Sequence, residues 1–333
     1  MNSASLCHRP SWKITALKWK SKNKSMNMLN IRCNARVNGE DDYHSTLKAL
    51  QSRGRFPRKS LGQHYMLNSE INEFLVKEAQ VNDGDVVLEI GPGTGSLTNV
   101  LVNAGALVFA IEKDPHMAAL VSERFRDNGK VKVVQDDFTR CHIKSQIESF
   151  SASVREGSDP GRLAKVISNL PFNITTEVLK ILLPMGEVFS HVVLLLQEET
   201  ALRLVSASPR TREYRSINMF VKFYSEPEYK FKVHRANFFP QPNVDAAIVA
   251  FQLKRVQEYP PIVSPERFFS MVNSAFNGKR KMLRQSLQHL HASHDIQLAL
   301  KTLGLPETSR PEELKLDDFV GLYNLLENPK FVG

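Results

Sequence analysis

The sequence Leu88-Glu-Ile-Gly-Pro-Gly-Thr-Gly-Ser96 decides the fold of this chain. It overlaps a short β-branched apolar run, Val86–Ile90, which is typical of a strand buried on both faces. Three glycines at alternate positions break this run, and Leu97, Val100 and Leu101 then follow at the spacing of one helix face. A strand, a glycine turn and a helix in this order predict a doubly wound α/β sheet whose backbone approaches a nucleotide-like ligand closely.

The spacing of the glycines indicates which ligand this turn accepts. The dinucleotide-binding fingerprint is G-x-G-x-x-G, whereas the glycines here are Gly91, Gly93 and Gly95, followed by Ser96. Glu112 ends the next predicted strand, 21 residues after Gly91, where an acidic group accepts hydrogen bonds from ribose hydroxyls. This pattern resembles the S-adenosylmethionine (SAM) site of class I methyltransferases. The alternative is a glycine-rich turn in an NAD-binding or purely structural Rossmann unit.

The basic charge of the chain is concentrated in its first residues. The formal net charge is +9, yet residues 1–33 contain seven Lys and Arg, and no acid occurs before Glu40. Without residues 1–33 the formal charge is only +2. A basic, serine-containing segment without a long apolar run is typical of an organelle transit peptide. We expect residues 1–40 to be a transit peptide and lead-in. The residues around 31–34 favour a plastid over a mitochondrion, and a disordered basic tail is the alternative.

Composition argues against two other classes of protein. The apolar runs are far too short to span a bilayer, so we expect no membrane segment. The three cysteines are Cys7, Cys33 and Cys141, and the first two lie in the predicted presequence. One remaining thiol supports neither a disulfide framework nor a cysteine-based metal site, and we expect no metal.

Further apolar runs predict the rest of the sheet. The expected strands lie at 107–111, 131–134, 165–168, 192–196, 220–224, 229–233 and 246–253. Polar stretches containing Gly or Pro predict surface loops at 149–162 and 203–215. Pro260-Pro261 indicates a hinge into a helical tail. We therefore expect a Rossmann-like methyltransferase domain with a seven-stranded sheet at 41–257 and a small helical, RNA-binding domain at 258–333.

Acidic residues follow the predicted strand at 131–134. Asp136 and Asp137 are expected at the carboxyl edge of the sheet, where ligands bind at the topological switch point. A carboxylate there can accept a hydrogen bond from the exocyclic amine of an adenine. Both residues qualify for this role, and Asp136 is the preferred one; a helix cap by Asp137 is compatible with the same role.

The reaction type is indicated by Asn169-Leu-Pro-Phe172, which follows another predicted strand. The N6 amine of adenine is a poor nucleophile because its lone pair is delocalised into the ring. The side-chain carbonyl of Asn169 and the backbone carbonyl of Leu170, fixed by Pro171, would accept the amine hydrogens and localise the lone pair. Phe172 would stack on a base removed from its own stack. Catalysis would then rest on positioning and electrostatics, so no catalytic triad is expected. In isolation the tetrapeptide is equally an ordinary strand-to-turn exit.

Together these motifs resemble the KsgA/RsmA family of ribosomal RNA adenine N6,N6-dimethyltransferases over about residues 58–290. Further matching segments are Lys59–Met66, Ile111-Glu112, Gln135-Asp136, Leu196–Glu199, Phe239–Asp245 and Ala275–Lys281. The resemblance implies SAM as the cofactor, with its binding residues at His64, Met66, Gly91, Gly93, Glu112, Asp136 and Asn169. It implies a catalytic site at Asn169, Leu170, Pro171 and Phe172.

The resemblance also implies a substrate and a partner. Members of the family dimethylate two adjacent adenosines near the 3′ end of small-subunit rRNA and check the assembly of the small subunit. We expect a monomer that binds this rRNA and the pre-ribosomal small subunit. The basic residues expected to contact phosphates are Arg58, Lys59, Arg212, Arg215, Arg280, Lys281 and Arg284. Apolar residues from Phe269 to Leu290 predict one helical stripe beside them, unless Gly278 interrupts the helix.

This chain departs from the family pattern at a few positions. Phe172 stands where many bacterial members have Tyr, and His64 replaces a common Asn. Ala246 and Arg215 replace a Ser and a Gly. Two rival functions remain open: a large-subunit rRNA dimethylase, which the 275–287 motif disfavours, and a non-catalytic transcription or ribosome-assembly factor on the same fold.

Overall fold

The computed structural model of the protein describes Pro57 and residues 62–154 and 162–328. The predicted transit peptide and the basic residues Arg58 and Lys59 lie outside these residues. The strands of the main sheet are β2 (Val86–Ile90), β3 (Leu107–Glu112), β4 (Val131–Gln135), β5 (Ala164–Asn169), β6 (Phe189–Gln197), β7 (Ser225–Val233) and β9 (Ala246–Leu253). A separate two-stranded ribbon pairs β1 (Tyr65–Met66) with β8 (Phe238–Phe239).

The order of the strands confirms the doubly wound sheet. It is β4-β3-β2-β5-β6-β9-β7, so the described residues form the expected seven strands. Strands β2 to β6 are mutually parallel, whereas β9 is antiparallel to both of its neighbours. The chain runs outward from β2 to β4 and then returns to the other side of β2 at β5. Because the order reverses there, the carboxyl ends of β2, β3 and β5 border a crevice.

Helices cover both faces of the sheet and form the tail. The α-helices of the described residues are α1 (Ser69–Glu78), α2 (Ser96–Asn103), α3 (Pro115–Arg124), α4 (Ile143–Val154), α5 (Thr175–Leu182), α6 (Glu198–Ser206), α7 (Ser216–Tyr224), α8 (Pro265–Asn277), α9 (Leu283–Ser286), α10 (Ser293–Thr302) and α11 (Leu316–Leu326). Asn68 caps α1 by accepting a hydrogen bond from the Glu70 N–H group at 3.0 Å. Within the described ranges, no helix is both long and apolar enough to cross a membrane.

The side chains of alternate residues of β2 pack on opposite faces of the sheet. Leu88 and Ile90 belong to one large hydrophobic cluster, whereas Val87 packs in a second cluster with residues of α1 and α2. Glu89 shares the face of Val87, because side chains alternate along a strand. Its carboxyl group is therefore directed to the side of the sheet that α1 and α2 cover.

The helical tail shares the hydrophobic core of the sheet region. Phe268 and Met271 of α8 belong to the same cluster as Phe223 of α7 and Val249 of β9. The region around residue 258 thus separates two parts of one continuous core. The domain boundary itself stays a prediction.

The predicted strand at 220–224 is wrong, because these residues form the second half of α7. Aromatic residues favour strands locally, but Phe220, Phe223 and Tyr224 are also spaced for one side of a helix. The rings of Phe220 and Phe223 lie 5.0 and 5.2 Å from the ring of Phe269 in α8. Packing against the tail therefore favours the helix over the local strand preference.

The predicted loops and tail stripe are corrected in part. Helix α4 extends into the expected 149–162 loop and buries Phe150. Arg203 lies within α6 rather than in a loop, since Ala201 and Leu204 give that helix a buried face. The single stripe from Phe269 to Leu290 is wrong, because α8 ends at Gly278 and Leu290 is 42% exposed.

Candidate active site

A cavity opens at the carboxyl ends of β2, β3 and β5, where the strand order reverses. Its walls come from segment 62–66, the glycine turn 91–94, Glu112, Asp136 and residues 169–171. The structure therefore brings every predicted cofactor-binding residue to one cavity. Three of the four predicted catalytic residues line it as well.

The glycine turn packs tightly against segment 62–66. Gly91, Gly93 and Gly95 have φ values of +68°, +57° and +77°, in the left-handed region that favours glycine. A Cβ atom on Gly93 would lie 3.0 Å from the ring of Tyr65. The turn thus keeps its backbone at the cavity wall and leaves no room for a side chain on that side.

Glu112 is held in place by two backbone N–H groups. Its Oε1 atom accepts a hydrogen bond from Asp114 N at 2.9 Å, and its Oε2 atom accepts one from Gly93 N at 3.2 Å. Burial raises the pKa of Glu112, while these hydrogen bonds act to lower it. Because a carboxylate has about four lone-pair sites, the group can still accept hydrogen bonds from a ligand.

Asp136 and Asp137 follow β4 and have different surroundings. Asp137 Oδ1 accepts hydrogen bonds from the backbone and hydroxyl of Thr139 at 3.1 and 2.8 Å, and Oδ2 pairs with Lys113 at 2.8 Å. The hydrogen bond from Lys113 is the largest cause of the lowering of the Asp137 pKa to about 2. The expected cap at Asp137 is confirmed. Asp136 is exposed at the cavity wall, so its carboxylate is the more accessible of the two.

Asn169 is the last residue of β5, and its amide is oriented by segment 62–66. The Nδ2 atom donates a hydrogen bond to the His64 carbonyl at 3.3 Å. Since the amide nitrogen is used in this way, the amide oxygen is the atom left to accept. The next residue, Leu170, is 2% exposed beside the cavity, and Pro171 begins the turn that follows.

His64 connects three parts of the site. Its Nδ1 atom lies 2.7 Å from the Pro240 carbonyl oxygen, which can only accept, so Nδ1 is the donor. Its ring stacks on Phe172 with centroids 5.8 Å apart. Phe172 does not line the cavity itself, although Asn173 and Ile174 of the same 3-10 turn do. Stacking of Phe172 on a substrate base stays a prediction.

A group of buried polar residues beside the glycine turn was not predicted from the sequence. Glu89 is 1% exposed and accepts a 2.6 Å hydrogen bond from the Thr98 hydroxyl. Burial raises the pKa of Glu89 to about 8. Asn72 of α1 is fully buried and donates to the Ser96 hydroxyl at 2.9 Å. The sequence signal that could have predicted this group is a polar residue among apolar ones: Glu89 within β2 and Asn72 on the buried face of α1.

Two of the predicted RNA-binding segments contact each other. Lys279 Nζ donates hydrogen bonds to the carbonyls of Thr211 and Arg212 at 3.2 and 3.0 Å. Arg212, Arg215, Arg280 and Lys281 are all exposed around this contact. The 207–215 loop follows α6, which begins at the carboxyl end of β6 and is about 13 Å long at 1.5 Å per residue. The length of α6 therefore separates the start of this loop from the carboxyl end of β6.

Two of these basic residues are less available to a ligand than the others. The guanidinium group of Arg215 donates to the carbonyls of Arg212 and Tyr214 at 2.5 and 2.8 Å. Arg284 is half-buried, and its Nε atom has no hydrogen-bond partner among the described residues. Among the predicted RNA-binding residues that the structure describes, Arg212, Arg280 and Lys281 are thus the most available to a phosphate.

The fold and site together define a class I SAM-dependent methyltransferase. A glycine turn lies at the switch point of the sheet, with an oriented carboxyl group at the end of the neighbouring strand. These acceptors and the closely approaching backbone fit an adenosyl ligand. The sequence pattern of the "Ribosomal RNA adenine dimethylase" family matches residues 55–328, and the chain belongs to that family.

Individual relatives agree with this assignment. The chain is 66% identical to the "Ribosomal RNA small subunit methyltransferase, chloroplastic" of Arabidopsis thaliana, over 86% of this chain and 83% of the relative. It is 37% identical to the "Ribosomal RNA small subunit methyltransferase A" of Protochlamydia amoebophila, over 83% of this chain and 94% of the relative.

Two solved structures are similar in fold. One is a dimethyladenosine transferase from Plasmodium falciparum, with a TM-score of 0.63 and 24% identity over 79% of this chain and 97% of that one. The other is the 23S rRNA methyltransferase ErmE, with a TM-score of 0.58 and 21% identity over 79% of this chain and 100% of that one. At these identities the likeness shows the shared fold alone.

Proposed function

We propose that this rRNA adenine dimethylase acts on small-subunit rRNA in plastids and dimethylates N6 of two adjacent adenosines near its 3′ end. Family membership identifies an enzyme that uses SAM to methylate adenine in rRNA. The names of the relatives support the small subunit as the target, and the chloroplastic relative favours a plastid over a mitochondrion. The single observation that carries the mechanism is the orientation of the Asn169 amide by the His64 carbonyl.

Residues at the ends of neighbouring strands would bind different parts of the cofactor. In our proposal Glu112 at the end of β3 accepts hydrogen bonds from the ribose hydroxyls. Asp136 after β4 accepts one from the adenine amine. Gly91 and Gly93 let the backbone approach the amino-acid part, while His64 and Met66 close the cavity from the ribbon side. SAM supplies an electrophilic methyl group when it is bound.

The target adenine is held at the end of β5. The Asn169 amide oxygen and the Leu170 carbonyl accept the two hydrogens of the N6 amine, and Pro171 fixes the chain between them and the following turn. This arrangement directs the nitrogen lone pair toward the methyl donor. The nitrogen becomes acidic once it has been alkylated, and its proton leaves to water. The protein therefore contributes orientation and electrostatics rather than a general base.

The target base needs an aromatic partner after it leaves its stack. Phe172 supplies a ring next to the cavity, and its stacking on His64 keeps that ring in position. Arg212, Arg280 and Lys281 would contact phosphates of the rRNA, with Arg58, Lys59, Arg215 and Arg284 as further contacts. We propose that the protein binds the pre-ribosomal small subunit as a monomer.

Reverse transcription of plastid rRNA tests this function. In plants that lack the protein, the dimethyladenosine stops near the 3′ end of small-subunit rRNA should disappear, and the wild-type protein should restore them. Large-subunit rRNA and mitochondrial rRNA from the same plants serve as controls and should be unchanged. Stops that persist in plastid small-subunit rRNA would contradict the proposal. A loss confined to either control RNA would also contradict it.

A further inference from the structure

A buried polar group lies between β2, α1 and α2, on the side of the cavity away from Asp136. Its members are two hydrogen-bonded pairs, Glu89 with Thr98 at 2.6 Å and Asn72 with Ser96 at 2.9 Å. Glu89, Asn72 and Ser96 line the cavity. Three side chains of the group are almost completely removed from solvent, since Asn72 and Thr98 are 0% exposed and Glu89 is 1% exposed.

One atom of this group has no partner. Asn72 Oδ1 is buried and accepts no hydrogen bond from any residue that the structure describes. A buried carbonyl oxygen that lost its water and gained no donor would destabilise the protein. Because Asn72 lines the cavity, a bound ligand can supply the missing donor.

The order of the strands indicates which part of the cofactor reaches Asn72. Asp136 follows β4 and Glu112 ends β3, so adenine and ribose lie over the outer strands in our proposal. The ligand then continues toward β2, and α1 and α2 cover the adjoining face of that strand. The amino-acid part is the portion that remains. It carries one donor group, the α-ammonium, since its carboxylate only accepts hydrogen bonds.

We propose that Asn72 is a SAM-binding residue whose amide oxygen accepts a hydrogen bond from the α-ammonium group of the cofactor. The inference rests on SAM as the cofactor and extends the predicted binding residues by one. Ser96 holds the amide in the required orientation, because its hydroxyl oxygen accepts the hydrogen bond that Asn72 Nδ2 donates. The Asn72 amide oxygen can only accept a hydrogen bond, so it suits the ammonium group and not the carboxylate.

Calorimetric titration with three adenosyl ligands tests the proposal. S-adenosylhomocysteine (SAH) has both the ammonium and the carboxylate, its decarboxylated analogue has only the amine, and 5′-methylthioadenosine has neither. For Asn72→Leu we expect affinity for the first two to fall about 10-fold or more, as for loss of a hydrogen bond to a charged group. Affinity for 5′-methylthioadenosine should stay within about twofold of the wild type.

The control variant is Asn103→Leu, which makes the same change at an exposed position of α2 and should leave all three affinities unchanged. Equal affinity of Asn72→Leu and wild type for SAH would overturn the proposal. An equal loss for all three ligands would also overturn it, because that pattern reports damage to packing. A loss for SAH without a loss for the decarboxylated analogue would instead assign Asn72 to the carboxylate.

A second variant keeps the test decisive if Asn72→Leu fails to fold. Asn72→Asp retains an acceptor oxygen, and the Ser96 hydroxyl can donate to the other oxygen. We expect the ratio of SAH affinity to 5′-methylthioadenosine affinity to be preserved or increased. A ratio at least fivefold below that of the wild type would refute the role of Asn72. Wild-type binding of SAH tests the cofactor separately from these comparisons.

Discussion

Glu89 is a carboxyl group that folding places between β2 and α2 with one hydroxyl partner. Burial raises its pKa from the ordinary value of 4.5 to about 8. At a pH between these two pKa values, the Glu89 carboxyl group has lost its proton in the unfolded chain but keeps it in the folded protein. The free energy of unfolding contributed by this group therefore decreases as pH rises from about 4.5 to 8, and it then becomes constant.

We expect Glu89→Gln to remove this pH dependence. The stability of the variant relative to the wild type should increase as pH rises from 5 to 8, by at least about 1.4 kcal/mol, the equivalent of one pKa unit. Denaturant unfolding of the ligand-free protein at several pH values measures the difference. Glu73→Gln, at an exposed position of α1, is the matched control. A constant difference between Glu89→Gln and wild type over this range would show that Glu89 is not held protonated.

At the scale of single residues, the sequence predicted those residues of the site whose positions are set by the end of a strand. Glu112, Asp136 and Asn169 all follow recognisable buried runs, so their arrival at one cavity could be inferred. Asn72 could not, because its position depends on how α1 packs against α2. A single polar residue in an amphipathic helix gives no sign of which neighbour it meets.

The glycine turn and segment 62–66 act as one structural element. Gly93 has a left-handed backbone conformation and lies so close to the Tyr65 ring that a Cβ atom would be 3.0 Å from it. Its backbone N–H group donates a hydrogen bond to Glu112. A side chain at this position strains the backbone and displaces either the ring or the turn. The Glu112 carboxyl group would then lose one of the two donors that orient it.

Gly93→Ala should therefore reduce both stability and cofactor binding. We expect a loss of about 1 to 2 kcal/mol from the left-handed conformation alone. SAH affinity should fall as well. Chemical denaturation and calorimetry measure the two effects, with Gly129→Ala as the control, because a Cβ atom there meets nothing within 4 Å. Unchanged SAH affinity in Gly93→Ala would mean that the turn does not position Glu112.

The elements that the sequence analysis missed depend on contacts distant in the chain. The strands of the sheet were found because long buried runs are a local signal. The ribbon of β1 and β8 was missed, since strands of two residues have no periodicity. The residues of α7 satisfy both a strand and a helix pattern, and the choice is made by α8, which begins more than 40 residues later.

At the scale of the whole molecule, the tail and the 207–215 loop form one basic surface. Tyr214 donates to the Leu314 carbonyl at 2.9 Å, and Arg210 N donates to the Glu312 carbonyl at 2.7 Å. These contacts fix the loop against the tail. This surface suits an RNA whose target base enters the cavity while its backbone follows the tail.

Substitution of Arg212, Arg280 and Lys281 by Gln should weaken binding of a small-subunit rRNA fragment. Affinity should also depend less steeply on salt. In a plot of the logarithm of affinity against the logarithm of salt concentration, the magnitude of the negative slope should fall by about 0.7 to 0.9 for each phosphate that the variant no longer neutralises. SAH affinity should stay unchanged. Lys301→Gln, on the exposed side of α10, is the control. An unaltered salt slope in the triple variant would place the RNA on another surface.

In this account Asn169 acts chiefly on the target amine, whereas most of the contacts that hold the cofactor come from the other residues of the cavity. Asn169→Ala tests it most directly when SAH affinity and methyl transfer to the rRNA fragment are measured on the same preparation. We predict SAH affinity within a few-fold of the wild type and transfer reduced by about 100-fold or more, the usual effect of removing one oriented polar group from an active site. Transfer at the wild-type rate would contradict this account of catalysis.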